Sequence, residues 1–215
     1  MSAFFFQNLP DHLKRQFCAV RSAADNIWNL LVIAEIANTA SHLMTRTRTE
    51  EFDVAIFSGP YSRALVKKQD GYFSMALPFQ MVDDGEYISF NLDGAAMPIS
   101  GQFLSALRNS VTTWRAGECS SDDISLSLMD DFGISSEQAI LWAQHFIELL
   151  SHDHGFLRFD DDQANEMGNV HPRFHFDFFY SNHSSIKVGM DELVTMDCFY
   201  ALFDKSLPKR FLRTH

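Results

Sequence analysis

Hydrophobic and polar residues alternate most regularly in the segment Val170 to Tyr180, VHPRFHFDFFY. Successive side chains of a β-strand point to opposite faces, so a strand here has one aromatic and one polar face. The aromatic face holds Phe174, Phe176, Phe178 and Tyr180. The polar face holds His171, Arg173, His175 and Asp177. The pattern predicts a strand that covers a core with one face and presents a dense set of reactive side chains on the other.

The N-terminal part of the chain has helical periodicity. A short helix is predicted within Pro10 to Val20. A long helix begins at Ser22, with Asp25 three residues later as a variant of a capping box, and runs to about Thr45. Apolar residues cover most of its circumference, which is typical of a buried helix. We therefore predict that this helix is the central packing element.

Alternating and turn-forming residues follow. A strand is predicted from Phe52 to Ile56, and the segments Ala64 to Lys68 and Tyr72 to Leu77 flank an Asp70-Gly71 turn. A further strand is predicted from Tyr87 to Leu92. Together these segments predict an antiparallel meander of three or four strands.

The segment from Ile99 to about Gly155 returns to helical patterns before the final strands. Helices are predicted from Ile99 to Ala116 and from Ser135 onward. Between them, Glu118 to Asp131 is acidic and rich in serine, and alternating Ile124, Leu126 and Leu128 predict a short strand at a solvated edge.

The C-terminal elements surround the Val170–Tyr180 segment. Strands are predicted from Phe156 to Asp160 and from Ser185 to Met190, with a turn at residues 182–184 and a helix from about Asp191 to Phe203. Strands and helices come in blocks, which favours an α+β fold with a largely antiparallel sheet. We expect this sheet to pack against the long buried N-terminal helix and the other helices. We expect a single domain of residues 1–215, with a core at about 135–205 that carries the candidate site.

Composition limits the class of protein. Hydrophobic residues make up 46% of the chain, enough for a sizeable core, and the formal net charge of −11 disfavours an extended nucleic-acid surface but permits a small basic site. The three cysteines are far apart and form no CxxC pair, so reduced thiols in the cytoplasm are expected. The N-terminus has no basic region typical of a signal peptide, and the apolar run Ile27–Ala37 is too short to cross a bilayer.

The polar faces of the three C-terminal strands predict one candidate site. If these strands are neighbours, one face of the sheet gathers Arg158, Asp160, Arg173, His175, Asp177 and Lys187, with His171 nearby. Such a face is also typical of an ordinary solvated sheet surface. Two histidines on one face favour the functional interpretation.

Three functions remain open from these residues. His175 and Asp177 point the same way and suit a metal ion, with His171, His152, His154 or Asp160 as a third ligand. In an extended strand, however, His171 lies about 13 Å from His175, so one ion joins both only if the chain bends at Pro172. This alternative predicts a metal-dependent hydrolase or oxygenase, and the sequence leaves any cofactor unknown.

The second function is metal-independent acid–base chemistry on a phosphodiester. A histidine transfers protons while Arg158, Arg173 or Lys187 stabilises negative charge, and Asp160 or Asp177 orients the histidine. The third is a non-enzymatic interaction or regulatory module that docks a protein partner, with Glu118–Asp131 as the first candidate surface.

The C-terminal residues resemble a known group of proteins. Leu157-Arg158-Phe159-Asp160, then His171-Pro172-Arg173-Phe174-His175, then Ile186-Lys187-Val188 and a closing helix are similar to a core R-[FY]-D … HPxxHxH. This core occurs in uncharacterised bacterial proteins and in small toxins of toxin–antitoxin pairs, and the resemblance covers about the last sixty residues. Asp177 stands where the last histidine of the pattern is expected. The resemblance implies a shared C-terminal fold and a toxin-like, defence-like or nuclease-like role.

Overall fold

The computed structural model describes residues 2–47, 49, 51–59, 62–92, 97–117, 119–178, 186–203 and 207–209. The strands are β1 (Ser2–Phe6), β2 (Met44–Thr45), β3 (Val54–Ser58), β4 (Arg63–Lys68), β5 (Gly71–Ala76), β6 (Phe79–Asp83), β7 (Ile88–Leu92), β8 (Leu157–Asp161), β9 (Phe174–Phe178) and β10 (Ile186–Met190). The α-helices are α1 (Asp11–Lys14), α2 (Ala23–Thr39), α3 (Gly101–Arg115), α4 (Ser121–Phe132), α5 (Ser136–Ser151) and α6 (Met196–Phe203). Short 3₁₀ turns lie at Ser41–Leu43 and Gln163–Asn165. The fold is α+β.

Eight of these strands form one antiparallel sheet. Its order is β10-β9-β8-β5-β4-β3-β1-β2, and β6 and β7 form a separate hairpin. Every neighbouring pair in the large sheet is antiparallel. The prediction of a largely antiparallel sheet is confirmed. The topology brings the C-terminal strands to one edge, where β8 pairs with β5 from the first half of the chain.

The two sides of this sheet cover different cores. On one side, β1, β3, β4 and β5 contribute residues such as Phe4, Val54 and Met75 to the larger core, which includes buried residues of α2, α3, α4 and α5. On the other side, Phe57 and Phe159 pack with Phe199 of α6. The sheet extends past the larger core at β8, β9 and β10, and this is where its polar face lies.

The structure differs from the prediction at two places in the N-terminal part of the chain. Helix α2 begins after Ser22, whose side chain accepts a hydrogen bond from the Asp25 amide, but it ends at Thr39. The predicted extension to Thr45 is wrong because Met44 and Thr45 pair with β1 as an edge strand. Ser2–Phe6 also pairs with β3 and belongs to the sheet, although the sequence pattern does not predict a strand there.

The acidic segment between α3 and α5 is helical. The strand predicted around Ile124 is wrong: α4 covers Ser121–Phe132, with a capping box formed by Ser120 and Asp123. Ile124 and Leu128, four residues apart, are buried on one helix face, whereas Leu126 is 57% exposed. Apolar residues two apart follow the period of a strand, but in the helix only two of these three side chains are buried.

Gly71 lets β8 approach the β4–β5 hairpin closely. Its φ of +144° disfavours other residues, and a Cβ atom at this position would lie 2.0 Å from the carbonyl oxygen of Phe159. Gly71 is the register partner of Asp160. Gly71 therefore permits the close approach of β8 that determines the position of Asp160 along the sheet.

The C-terminal elements are shorter than predicted. β9 begins at Phe174 rather than at Val170, and α6 begins at Met196 rather than near Asp191. Tyr180 and the predicted turn at residues 182–184 lie outside the described residues. Among the described residues, no helix has both the length and the apolar character needed to cross a bilayer.

Candidate functional site

Strands β8, β9 and β10 bring five charged or ionisable side chains to one face. The register pairs Arg158 with Asp177, Asp160 with His175, and Lys187 with Asp177. Residues directly opposite each other in antiparallel strands share a face, so these side chains meet. We call Arg158, Asp160, His175, Asp177 and Lys187 the polar network.

The carboxylates of the polar network are each held by two cations. Asp177 accepts a hydrogen bond from Lys187 Nζ at 2.7 Å through Oδ1 and one from Arg158 Nη2 through Oδ2. Asp160 Oδ2 lies 2.5 Å from Arg158 Nε, and its Oδ1 lies 3.3 Å from Nζ of Lys68. Lys68 comes from β4 and was not predicted. Its charge makes the group a set of three cations and two carboxylates around one imidazole.

Electrostatics keep Asp177 ionised. Burial alone would raise the pKa of its carboxyl group, because a charged group loses hydration. The hydrogen bond from Lys187 and the positive charges of Arg158 and Lys187 outweigh burial and lower the pKa below its ordinary value. At neutral pH this aspartate is therefore an anion that orients the two cations.

His175 is the buried centre of the polar network. Its side chain is 1% exposed, and its Nδ1 lies 2.8 Å from the Pro172 carbonyl oxygen, which only accepts hydrogen bonds. Nδ1 therefore carries a proton and, in the neutral ring, Nε2 has the lone pair. Lys187 Nζ, at 2.9 Å, donates to this lone pair. Both ring nitrogens of His175 are therefore satisfied inside the protein.

His171 forms a second, more accessible pair. Its Nε2 lies 3.2 Å from Asp162 Oδ2, and each of the two side chains is 26% exposed. Burial would raise the pKa of Asp162, but hydrogen bonds from Asn165 and His171 lower it, so the carboxylate accepts from Nε2–H. This tautomer leaves His171 Nδ1 as the basic nitrogen. Asp162 was not predicted, although it continues the Asp160–Asp161 run.

A bend at Pro172 brings the two histidines together. The ring centroids of His171 and His175 are 5.0 Å apart in an edge-to-face arrangement, well below the separation expected for an extended strand. The Pro172 ring packs on Gly189 of β10, where a Cβ atom would lie 2.7 Å from Pro172 Cγ. Gly189 is the register partner of His175. The glycine thus gives the proline the space that the bend requires.

Arg173 lies apart from the polar network. Its Nε and Nη2 contact the Asp161 carboxylate at 2.6 and 3.1 Å, and its guanidinium lies 4.8 Å from the Phe174 ring centroid. The hydrogen bonds that Arg173 donates to the Asp161 carboxylate raise the pKa of Arg173 and lower that of Asp161. The prediction that Arg173 shares a face with His175 is wrong, since β9 begins at Phe174 and strand alternation does not apply before it.

Cationic side chains already occupy the predicted metal site. Donor atoms of Asp160, His175 and Asp177 all lie within 4.8 Å of one another, which is a ligand set of the predicted kind. However, Lys187 Nζ already lies between His175 Nε2 and Asp177 Oδ1, and Arg158 contacts both carboxylates. A divalent ion would replace the ammonium and stand beside the guanidinium. The residues as arranged therefore do not fit a metal ion.

The other predicted ligand candidates, His152 and His154, lie just after α5. Their rings contact each other edge-to-face, with centroids 5.3 Å apart.

The fold and the site define a class: an α+β protein with a cation-rich, histidine-centred network on the open face of an antiparallel sheet. Compared with protein-family models, with curated proteins and with solved structures, the chain matches none of them. The resemblance of the C-terminal residues to toxin-like bacterial proteins thus stays a prediction.

Proposed function

We propose that this protein is a metal-independent enzyme of the nuclease type, acting by acid–base chemistry on a phosphodiester in a bacterial toxin or defence context, in the cytoplasm. His171 is the proton-transfer residue, and Arg158 and Lys187 stabilise the negative charge that develops on the phosphate. The observation that carries the proposal is the part-exposed His171–Asp162 hydrogen bond, next to the ring of His175.

The accessibility of the two histidines supports this division of roles. A general base must reach the proton that it removes. His171 is partly exposed, and Asp162 orients its ring as a carboxylate orients the histidine of a catalytic triad. His175 is enclosed and bonded through both nitrogens, so it positions Lys187 and the bend at Pro172.

The exposed fraction of the cations supports a phosphate substrate. The side chains of Arg158 and Lys187 are 27% and 23% exposed, whereas Asp177, which holds both of them, is 17% exposed. The cations of the network are therefore more exposed to solvent than its carboxylates. Fixed cations at the site of developing charge stabilise a transition state without reorganisation. With Lys68, three cations stand against two carboxylates, which is a local excess of positive charge on a chain whose net charge is −11.

The proposal is tested by incubating the protein with labelled RNA and DNA, with and without EDTA. We expect cleavage that survives EDTA and that falls by about 10²- to 10⁴-fold in His171→Ala, because proton transfer contributes that much. Asp162→Asn should also reduce kcat by misorienting the ring. His42→Ala is the matched control, since His42 is exposed and belongs to a different part of the chain. Absence of cleavage, or equal cleavage by His171→Ala, would refute the proposal.

A non-enzymatic interaction module is the alternative function. It is favoured by exposed apolar side chains on two helices: Leu126 of α4 is 57% exposed, and Ile140 and Leu141 of α5 are 50% and 40% exposed. This module would dock a protein partner on the α4–α5 side, away from the histidines. The first indication would be wild-type protein that cleaves no nucleic acid and associates with other copies of itself in light-scattering measurements. Loss of this self-association in Leu126→Asp, with unchanged stability, would then support the interaction module.

A further inference from the structure

A cleft of about 480 Å³ lies beside the polar network, between the segment that joins α1 to α2 and strands β4 and β8. This volume suits a small organic molecule. Arg158 is shared, because it belongs to the polar network and also lines the cleft. The cleft therefore joins an otherwise unassigned space to the charged face.

Three cationic side chains line the cleft. Lys14, Lys68 and Arg158 contribute positive charge, and Asp53 contributes one carboxylate. Lys67 also borders the cleft, but its register partner Tyr72 packs in the core on the opposite side of the sheet. Since directly opposite residues share a face, the Lys67 side chain points away from the cleft.

Their existing contacts leave hydrogen-bond donors for an anion. Lys68 has three N–H donors, and its ion pairs within the described residues are with Asp70 and Asp160, at 3.1 and 3.3 Å. Arg158 contacts Asp160 through Nε and Asp177 through Nη2, and within the described residues its Nη1 makes no hydrogen bond or ion pair. Lys14 is 42% exposed, and its Nζ lies 3.3 Å from Asp11 and 3.9 Å from Asp53, which leaves one of its three N–H donors. The carboxylates fix these cations without using all of their donors.

The floor of the cleft is aromatic. Phe73 and Phe156 are stacked with ring centroids 6.0 Å apart, and Phe17 meets Phe73 edge-on at 5.9 Å. All three line the cleft together with Val20 and Val66. A flat apolar group of a ligand could therefore pack against aromatic rings next to the cationic side chains.

The wall formed by residues 16–20 is held in place. Asn29 is fully buried, its Oδ1 accepts from the Cys18 amide at 3.0 Å, and its Nδ2 donates to the Cys18 carbonyl at 2.9 Å. Trp28 Nε1 donates to the Gln16 carbonyl at 2.8 Å. The wall is thus anchored to α2, and a preformed cleft binds without the cost of ordering a loop.

We propose that this cleft binds a small molecule in which an anionic group is attached to a flat aromatic group. The anion lies against Lys14, Lys68 and Arg158, and the ring packs against Phe17 and Phe73. Phosphate monoesters of nucleosides and aromatic carboxylates share this chemistry. This inference concerns binding alone and does not depend on the nuclease proposal.

Titration calorimetry with three kinds of probe tests it: nucleoside 5′-monophosphates, indole-3-acetate and inorganic phosphate. We expect one of the two aromatic anions to bind, and phosphate alone to bind at least about tenfold more weakly. Lys68→Ala and Lys14→Ala should each weaken the aromatic anion about tenfold or more, as loss of a charged hydrogen bond implies. Lys67→Ala is the matched control because it is a neighbouring lysine that points to the other face, and it should leave affinity unchanged.

Further variants separate the possible outcomes. Lys14→Ala tests the cleft even if Lys68→Ala fails to fold, since Lys14 is outside the sheet. His171→Ala should keep full affinity, which distinguishes this binding site from the proposed catalytic residue. No binding of either aromatic anion at millimolar concentration would overturn the inference. So would equal weakening by Lys67→Ala and Lys14→Ala.

Discussion

His171 and His175 are four positions apart and have opposite environments. The ring of His175 is held between a backbone carbonyl and an ammonium group, whereas His171 is partly exposed and paired with a carboxylate. We propose that the same residue type serves for positioning at one site and for proton transfer at the other. The surroundings of each ring, more than its distance along the chain, separate the two roles.

His154 makes folding stability depend on pH. Burial lowers the pKa of this histidine to about 4, and its Nε2 donates to the Leu149 carbonyl at 3.0 Å. In the unfolded chain the pKa returns to about 6.5, so the unfolded state binds more protons below that pH. Stability is therefore complete at neutral pH and decreases as pH falls from about 6.5 toward 4.

Urea unfolding at about pH 7 and about pH 5 measures this effect. His154 should account for roughly 2 kcal/mol of the stability lost between these two values, above the range in which the carboxyl groups titrate. His154→Leu should lose less stability than wild type over this interval. His12→Leu, at an exposed position, should keep the wild-type difference. An unchanged pH dependence in His154→Leu would contradict the assignment.

At the scale of elements, α4 shows how one period can be mistaken for another. Ile124, Leu126 and Leu128 alternate, yet Ser120 and Asp123 form a capping box that starts a helix. Helix capping depends on local hydrogen bonds and competes with a short alternating pattern. The capping signal in the sequence was the better guide here, as it also was at Ser22 and Ser135.

The contact between β10 and the bend before β9 supports the position of His171. Gly189→Ala places a Cβ atom against the Pro172 ring, which is not the flexible end of a long side chain. We expect a destabilisation of about 1–3 kcal/mol, as in other overpacked sites, and a loss of the proposed activity in protein that stays folded. Gly101→Ala, with open space around the new Cβ, should change neither quantity. A fully active and stable Gly189→Ala variant would refute the proposed support of the bend.

At the scale of the whole molecule, one sheet separates two apolar clusters. The larger cluster lies on the side of α2, α3, α4 and α5, and the smaller one is covered by α6. Phe199 of α6 is fully buried, with ring centroids 5.6 Å from Tyr72 and 6.0 Å from Phe176. Because Phe176 lies on β9, the smaller cluster supports the strand that carries His175 and Asp177.

Phe199→Ala tests that support. Loss of a fully buried aromatic ring should reduce the free energy of unfolding by about 3–5 kcal/mol, measured by urea denaturation. Val170→Ala is the control, because Val170 is 79% exposed and should change stability by less than about 0.5 kcal/mol. If Phe199→Ala has wild-type stability, α6 does not hold the second face of the sheet.

The sequence alone determined which residues of β8, β9 and β10 share a face, because side-chain alternation is a local property of a strand. It also determined the hairpin at Gly71, since turn residues act locally. It did not determine where alternation stops, so Arg173 was placed on the wrong face.

Only the tertiary structure decided that Lys68, ninety-two positions from Asp160, joins the polar network. The tertiary structure also decided that His175 is sealed while His171 is partly exposed. Pairing between distant strands and the depth of burial arise from packing of the whole chain. No local pattern of residues encodes these properties.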